Sequence, residues 1–507
     1  MRDTTLESVA ESAQYRPARL PPSVPMPRLT DRRVPSLRSR AAGWRLPVVA
    51  CALSLLLSAC GGGGDDHPQS AASAPAAAAP TGTVEQLANV CTPAGEKAWT
   101  LANLNDVYLF YRDIAVVDPA AYATPEAYFD ALLVKSKDRF SFVEPQSVAD
   151  AFFNAGQDIG YGGVFKYDAA NRLRIGFVDA TGPLAGQNVA RGAEITAING
   201  TAVSTLTTAQ VNALLFPTAL GTSVTLTLLD VDRSVPRTIV VSAANVVEDP
   251  VPLARVLPAN AANPAGAKIG YLLFNDQVAT SESELVAAIT SFRTAGVSDV
   301  VVDLRYNGGG FLYIASELAS MLGGSRIAAN ATFERLQYND KHPEKTNSAA
   351  SNVPFYSTTT GGQALPTLNL PRVFVITAPG TCSASESVIN GLTPFLQVIR
   401  IGGTTCGKPY GFVQQNNCGK AYFAIQFQGV NNAGFGDYTN GFAPTCVVAD
   451  DFSHALGDVA EGRLAATLAY ARTGTCPVTA AAQEGVQSVE APERLLGRPE
   501  RQRRVMR

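Results

Sequence analysis

The sequence predicts a chain of the α/β class: a largely parallel sheet covered by helices, with a β-rich module ahead of it and a small helical segment ahead of that. Three observations carry this. Uninterrupted apolar runs at 269–274, 300–304, 373–377 and 398–401 alternate with helix-period stretches at 282–292, 313–322 and 384–392. Strands that are apolar on both faces belong to parallel sheets buried between helices. From about 159 to 246 the period falls to two, the mark of half-buried strands. The composition, 46% hydrophobic and 16% charged over 507 residues, supplies core for about three to four folded units.

The first 60 residues read as an address. Residues 1–45 hold nine Arg and four acidic residues, a net charge of +5. Residues 46–59 are then apolar or small throughout, too short to span a bilayer as a helix, and end Leu57-Ser58-Ala59-Cys60. That ending resembles the lipobox of bacterial lipoproteins, which makes Cys60 the expected lipidation site and a membrane the expected partner through it. Met26, followed by six arginines up to Arg45, makes a better start, leaving 1–25 untranslated. Residues 61–83, with glycines at 61–64 and an Ala/Pro tract at 71–80, read as a flexible tether. The expected location is the cell envelope, lipid-anchored at the outer membrane and facing the periplasm or the surface, because Gly61 follows the acylated Cys. Loss of 1–59, with its +5, takes the formal charge from −3 to −8. Neither value suits a nucleic-acid partner held by bulk positive charge.

Cysteine usage agrees with export. Cys51 leaves with the signal and Cys60 carries lipid, so Cys91, Cys382, Cys406, Cys418, Cys446 and Cys476 remain, an even set that outside the cytoplasm reads as disulfides. Cys406 and Cys418 are close enough in sequence to close a small loop. There is no C-x2-C pair, and His67, His342 and His454 are the only histidines, so the sequence implies no metal and no cofactor.

Residues 84–158 read as a helical region, with Leu101, Leu104 and Tyr108 on one face and Thr124-Pro125 as N-cap and first helical residue. Residues 159–246 begin the β-rich module. Alternation over 195–198 runs into the turn Asn199-Gly200, and Thr207-x-x-Gln210 is a capping box opening a short helix through Leu215. Val224, Leu226 and Leu228 then alternate with Thr225 and Thr227. Strand, Asn-Gly turn, helix and strand in this order resemble a PDZ domain, although 185–193 departs from the usual spacing. The resemblance implies a groove that adds a peptide C-terminus as a strand and cradles its carboxylate at 161–164, with Gly162 and Gly163 as peptide-binding residues. Residues 247–476 form the α/β domain, with a late strand at 422–428. Residues 477–507 show no core pattern and are expected to be disordered.

In a parallel sheet the loops at the strands' C-terminal ends share one edge. Three such loops carry chemistry: 303–310 with its triple glycine, 380–386 with Ser383, Ala384 and Glu386, and 403–408 with Lys408. A serine hydroxyl that attacks a carbonyl needs a base. A lysine can serve when burial lowers its pKa from about 10.4 toward about 7–8. Ser383 opens a helix, so the Ala384 N–H, with one from the triple glycine, can hold an oxyanion, each donor being worth about 3–4 kcal/mol. The competing view is plain: Ser383-x-x-Glu386 is also an ordinary capping box, the glycines an ordinary turn or a phosphate cradle, and Lys408 a surface cation.

Asp303-Leu-Arg-x-Asn-x-Gly-Gly, then Ser383-Ala-Ser-Glu, then a Gly-Lys with the Lys 25 positions after that Ser, resemble the tail-specific or C-terminal processing serine peptidases. The likeness runs from about 84 to 476. It implies a crotonase-like core, a Ser383 nucleophile, a Lys408 general base, and oxyanion N–H groups from Ala384 and Gly309. It implies protein substrates with free C-termini, here envelope proteins. Three departures bear on the setting of the Lys. Phe412 stands where the family often has Gln, with Gln414 and Gln415 the nearest amides; Pro394 stands where some members have Asp; Pro409 replaces a Gly.

Rivals are a Ser-His-Asp hydrolase using His454 with Asp451 or Asp458, which lacks a G-x-S-x-G elbow, and Cys382 as nucleophile. A third is a catalytically weak or inactive peptide-binding lipoprotein built on the same PDZ-like module.

Overall fold

The computed structural model describes residues 82–258, 267–477, 494–496 and 505–506. Cys51, Cys60 and His67, and with them the leader, lipobox and nearly all of the tether, lie outside the described residues.

The helical region holds Pro93–Val107 (α1), Pro125–Leu132 (α2) and Gln146–Ala155 (α3), with Phe142–Pro145 (β1) between the last two. Thr92 and Thr124 cap α1 and α2 by accepting amide N–H bonds at 3.1 and 3.2 Å, each with Pro in the first turn. Leu104 and Tyr108 pack with Tyr128, Phe129 and Leu132 in one apolar cluster that also takes Tyr422 from the far end of the chain. β1 pairs antiparallel with Lys420–Phe423, and a Cys91–Cys418 disulfide closes the same join.

The β-rich domain contains Gly163–Tyr167 (β2), Leu173–Val178 (β3), Glu194–Ile198 (β4), the helix Thr208–Leu215 (α4), Ser223–Leu229 (β5) and Arg237–Ser242 (β6). Neighbouring strands run antiparallel in the order β2-β3-β4-β5-β6. Asn199 and Gly200 both take positive φ, 49° and 77°, as a tight hairpin turn requires. The Thr207–Gln210 capping box opens α4.

The α/β domain has a six-stranded sheet: Leu253–Val256 (β7), Ile269–Leu273 (β8), Asp299–Asp303 (β9), Arg372–Thr377 (β10), Gln397–Gly402 (β11) and Cys446–Val447 (β12). β7 is antiparallel to β8; every other adjacent pair is parallel. Alternation along the strands splits the core in two. Val300, Val302, Val373 and Val375 face Ser281–Ala295 (α5), Leu312–Gly323 (α6) and Ala384–Leu392 (α7). Val301, Phe374, Ile376 and Ile401 face Gly462–Thr473 (α8). Leu318 and Leu322 on α6 are fully buried, each burial worth about 2 kcal/mol. No described helix is long and apolar enough to cross a membrane.

Two expectations are corrected. The apolar run at 422–428 is not one strand: Lys420–Phe423 pairs with β1, and Phe427–Val430 pairs with Thr332–Tyr338. Cys406 and Cys418 do not pair. Cys406 joins Cys382, whose Cα lies 5.1 Å away across the sheet edge, and Cys446 joins Cys476. Among the described residues of the tail, Arg494–Leu495 (β13) pairs antiparallel with β2, and Val505–Met506 (β14) pairs parallel with Gly310–Phe311.

Candidate active site

Each of the three loops is anchored before it reaches the site. The 303–310 loop hangs on Arg305, fully buried, whose guanidinium bonds Asp303 (2.8 Å), Glu461 (2.8 and 3.0 Å) and Asp450 (2.6 Å). Glu461 in turn caps α8 through Leu464 N–H. The same Asp450, held well below the usual carboxylate range by the surrounding cations, receives Lys166 and Arg191 from the β-rich domain at 2.8 and 2.7 Å. One buried carboxylate thus docks the two domains.

Asn307 joins the first loop to the second. Its side chain donates to Phe274 O (3.0 Å) and accepts Gly309 N–H (2.9 Å), while its carbonyl accepts Cys382 N–H (3.1 Å) and Ser385 Oγ–H (3.2 Å). Gly309 was expected to offer its N–H to an oxyanion. In this state of the loop that N–H is given to Asn307 Oδ1.

Ser383 takes φ 70° and ψ −122°, a backbone state that a non-glycine residue holds only when its surroundings enforce it. What enforces it is Glu386. Its buried carboxylate accepts Ser383 N–H (2.9 Å) and Lys408 N–H (2.8 Å) on one oxygen, and Thr405 Oγ–H (2.5 Å) and Gly407 N–H (2.8 Å) on the other. The second and third loops are therefore clamped on one side chain, and the Cys382–Cys406 disulfide staples the same two loops one residue before Ser383 and two before Lys408. Burial pushes the Glu386 carboxyl up from its ordinary value, and the four donors oppose that.

Ser383 and Lys408 are both buried, with 0% and 1% of their surfaces exposed. The Lys408 amine lies 4.2 Å from the Phe412 ring centroid and 5.4 Å from that of Phe140. Phe412 thus occupies with a ring face the place where the resemblance calls for an amide. Gln414 directs its amide to Asp150 and Asn416 instead, and Gln415 lies in a strand paired with Tyr422. Ser383 Oγ makes no hydrogen bond, so its proton-transfer contact with the lysine is not formed in this state. Ala384 is the first residue of α7, and N–H groups of a helix's first turn have no acceptor within the helix.

Gly162, at φ 73°, packs so closely on Gly182 that a Cβ would fall 2.4 Å from Gly182 Cα. Tyr161, Gly162 and Gly163 line a cavity of about 110 Å³ facing the α/β domain. A larger cavity of about 540 Å³, beside Arg172, Arg174 and Asp450, touches none of the three loops. The rival nucleophiles fare poorly. Asp451 and Ser453 both meet the same nitrogen of His454, at 2.6 and 3.0 Å, which leaves no serine–histidine–aspartate relay. His342 bonds Asp106 and Glu344, and Cys382 is in its disulfide.

Sequence reasoning missed the clamp by Glu386, the Cys382–Cys406 staple and the two rings. A signal for the staple was present: one cysteine precedes Ser383 directly, and another stands two residues before Lys408.

Residues 268–428 match the model of peptidase family S41, and residues 95–142 match that of the peptidase S41 N-terminal domain. No curated protein matches the chain. Among solved structures, an S41 protease from Bacteroides fragilis is similar at 26% identity and TM-score 0.58, over 73% of this chain and 96% of that one. A photosystem II D1 C-terminal processing protease aligns at 19% identity and TM-score 0.48, over 76% of this chain and 99% of that one.

Proposed function

For a chain that carries the domains of peptidase family S41 and is thereby a serine peptidase, we propose that Ser383 is the nucleophile and Lys408 the general base of a C-terminal processing endopeptidase. The observation that carries this is the clamp: a single buried carboxylate takes an amide from each of the two residues, in a pocket closed to water. In the proposed reaction Ser383 Oγ attacks the peptide carbonyl carbon while its proton passes to the uncharged Lys408 amine. The tetrahedral oxyanion rests on Ala384 N–H and on a donor from the glycine loop once Asn307 releases it. Collapse breaks the C–N bond, the leaving amine takes the proton from Lys408, and water repeats the sequence on the acyl-enzyme.

Substrates in this proposal are envelope proteins cut in extended form, gripped at the tail by the β-rich domain acting as a PDZ module. Lipid on Cys60 holds the enzyme in the envelope, at the outer membrane facing the periplasm or at the surface. Incubation of the full chain with an unfolded protein tests the reading: wild type is expected to cleave and Ser383→Ala to be inert. Cleavage by both would refute it.

A second reading has one observation in its favour. The unmade Ser383 hydrogen bond and the ring faces on Lys408, which favour an ammonium by about 0.5–2 kcal/mol, suit a protein that holds peptides without cutting them. Peptide binding without cleavage by either protein would select it.

A further inference from the structure

Two of the three site loops meet on Gln277, which lies in a short segment between β8 and α5. That segment is pinned at several points: Phe274 N–H donates to Asp303 O (3.1 Å), Asn275 N–H to Pro250 O (2.8 Å) and Ala279 N–H to Phe153 O (2.9 Å). The Gln277 backbone pairs with the glycine loop on both sides of Gly310. Its N–H donates to Gly309 O (3.1 Å), and its carbonyl accepts Phe311 N–H (2.8 Å). The approach is so close that a Cβ on Gly310, which takes φ 140°, would fall 2.2 Å from Gln277 O. Only glycine fits there.

The side chain goes to the other loop. Gln277 is fully buried, and a buried amide costs stability unless its donor and its acceptor are both used. Either rotation of the amide meets Ser385, with Nε2 3.3 Å from Ser385 Oγ or Oε1 3.2 Å from Ser385 N. Only the second satisfies both ends, because Nε2 then donates to Phe311 O at 3.2 Å, and the hydrogen-bond network assigns it on that ground. Oε1 shares the Ser385 N–H with Cys382 O, which lies 3.1 Å from that nitrogen. Ser385 stands next to Ala384 in the first turn of α7, two residues after Ser383. One buried side chain therefore ties the nucleophile's helix to the glycine loop, as Glu386 ties Ser383 to Lys408.

We infer that Gln277 is a positioning residue of the peptidase: it sets the spacing between Ala384 N–H and the glycine loop, the two halves of the proposed oxyanion hole. It acts through those groups and not on the substrate. The inference rests on the Ser383–Lys408 reading given above. An interaction that serves only the tetrahedral state moves kcat and leaves KM alone.

The test is steady-state cleavage of an unfolded protein by full-length wild type, Gln277→Met and Gln277→Glu, with Ser383→Ala alongside. Methionine keeps the length of the side chain and removes both of its hydrogen bonds. Its kcat should fall about 10²-fold at unchanged KM, the cost of displacing an oxyanion donor by about 1 Å. Gln277→Glu is the second route, should methionine not be accommodated. Its protonated acid offers one donor and one acceptor, as the amide does, and burial raises its pKa. The ratio of its kcat to that of wild type should therefore climb about tenfold or more from pH 9 to pH 5, because the protonated fraction changes about tenfold per pH unit above the pKa. A wild-type kcat in Gln277→Met, a loss carried by KM alone, or a low ratio for Gln277→Glu that stays flat with pH would overturn the inference. Equal cleavage by wild type and Ser383→Ala would instead overturn the nucleophile assignment. Hydrogen exchange in the Ser383→Ala background, where hydrolysis plays no part, decides the spacing by itself. Adding Gln277→Met should speed exchange about fivefold or more in peptides covering 308–311 and 383–386 and leave 403–408 unchanged. Unchanged exchange, or equal loosening of all three loops, would overturn the positioning role.

Discussion

Glu386→Gln is the most informative single change, because the four contacts of Glu386 fix what is lost. An amide keeps one acceptor oxygen and turns the other position into a donor. If its nitrogen takes the side facing Thr405 and Gly407, Gly407 N–H meets a donor, and Thr405 Oγ already accepts Phe442 N–H at 2.7 Å. If it takes the other side, both Ser383 N–H and Lys408 N–H are orphaned. The cheaper choice strands one buried donor, which costs about 1–3 kcal/mol. The remaining bonds lose charge assistance, partly offset by relief of a buried charge. A net loss of about 1–3 kcal/mol of stability is expected. The larger effect is kinetic: the clamp sets the spacing of Ser383 and Lys408, and a misplacement of about 1 Å costs about 10²-fold in rate. The assay is initial-rate cleavage of an unfolded protein from pH 4 to 9, with urea unfolding in parallel. Burial holds the Glu386 carboxyl above its ordinary value, so the wild-type rate should fall as pH drops through that raised pKa, where protonation removes an acceptor. The variant should lack this acid limb. A Glu386→Gln enzyme with wild-type rate and an unchanged acid limb would refute the reasoning.

Three further outcomes are expected. Cys382→Ser with Cys406→Ser should lower the rate about tenfold by freeing the two loops, at a stability cost of about 3 kcal/mol; a fully active double variant would remove the positioning role. Burial pushes the Glu334 carboxyl up to about 7 from an ordinary 4.5, so the stability it contributes is fully present below about pH 4.5 and is lost by about pH 7, in total about 3 kcal/mol. Glu334→Gln should therefore flatten that part of the urea-midpoint profile, and parallel profiles for the two proteins would contradict this. Arg305→Met leaves the carboxylates of Asp303, Asp450 and Glu461 without their shared guanidinium and should cost about 3–5 kcal/mol in chemical denaturation; a loss below 1 kcal/mol would show the cluster to be dispensable.

The parallel sheet and α7 were legible because their signals are local. Val300, Val301 and Val302 are apolar on successive sides, which fits only a strand covered on both faces, and Ser383 and Glu386 mark a helix start at the right spacing. What escaped the sequence depends on contacts between distant parts of the chain. An apolar run such as 422–428 reads alike whether it forms one strand or two in different sheets, since the partners, β1 and Thr332–Tyr338, lie far away in sequence. Cysteine pairing failed for the same reason: Cys91 meets Cys418 across 327 positions, a closure set by packing of the helical region and not by loop length. The pair Leu495-Leu496 sits in an arginine-rich run and gains meaning only once β2 offers an unpaired edge. Gly309 shows a finer limit. Its place beside the site was legible, but the prior claim of Asn307 Oδ1 on its N–H was not.

Labelling with a serine-reactive fluorophosphonate, read by intact mass and peptide mapping over pH 6 to 9, goes most directly to the heart of the matter. A single adduct on Ser383 is expected in the wild type, with Lys408→Ala reacting at least about 10²-fold more slowly. Labelling of Lys408→Ala at the wild-type rate, or an adduct on any other residue, would contradict the Ser383–Lys408 account.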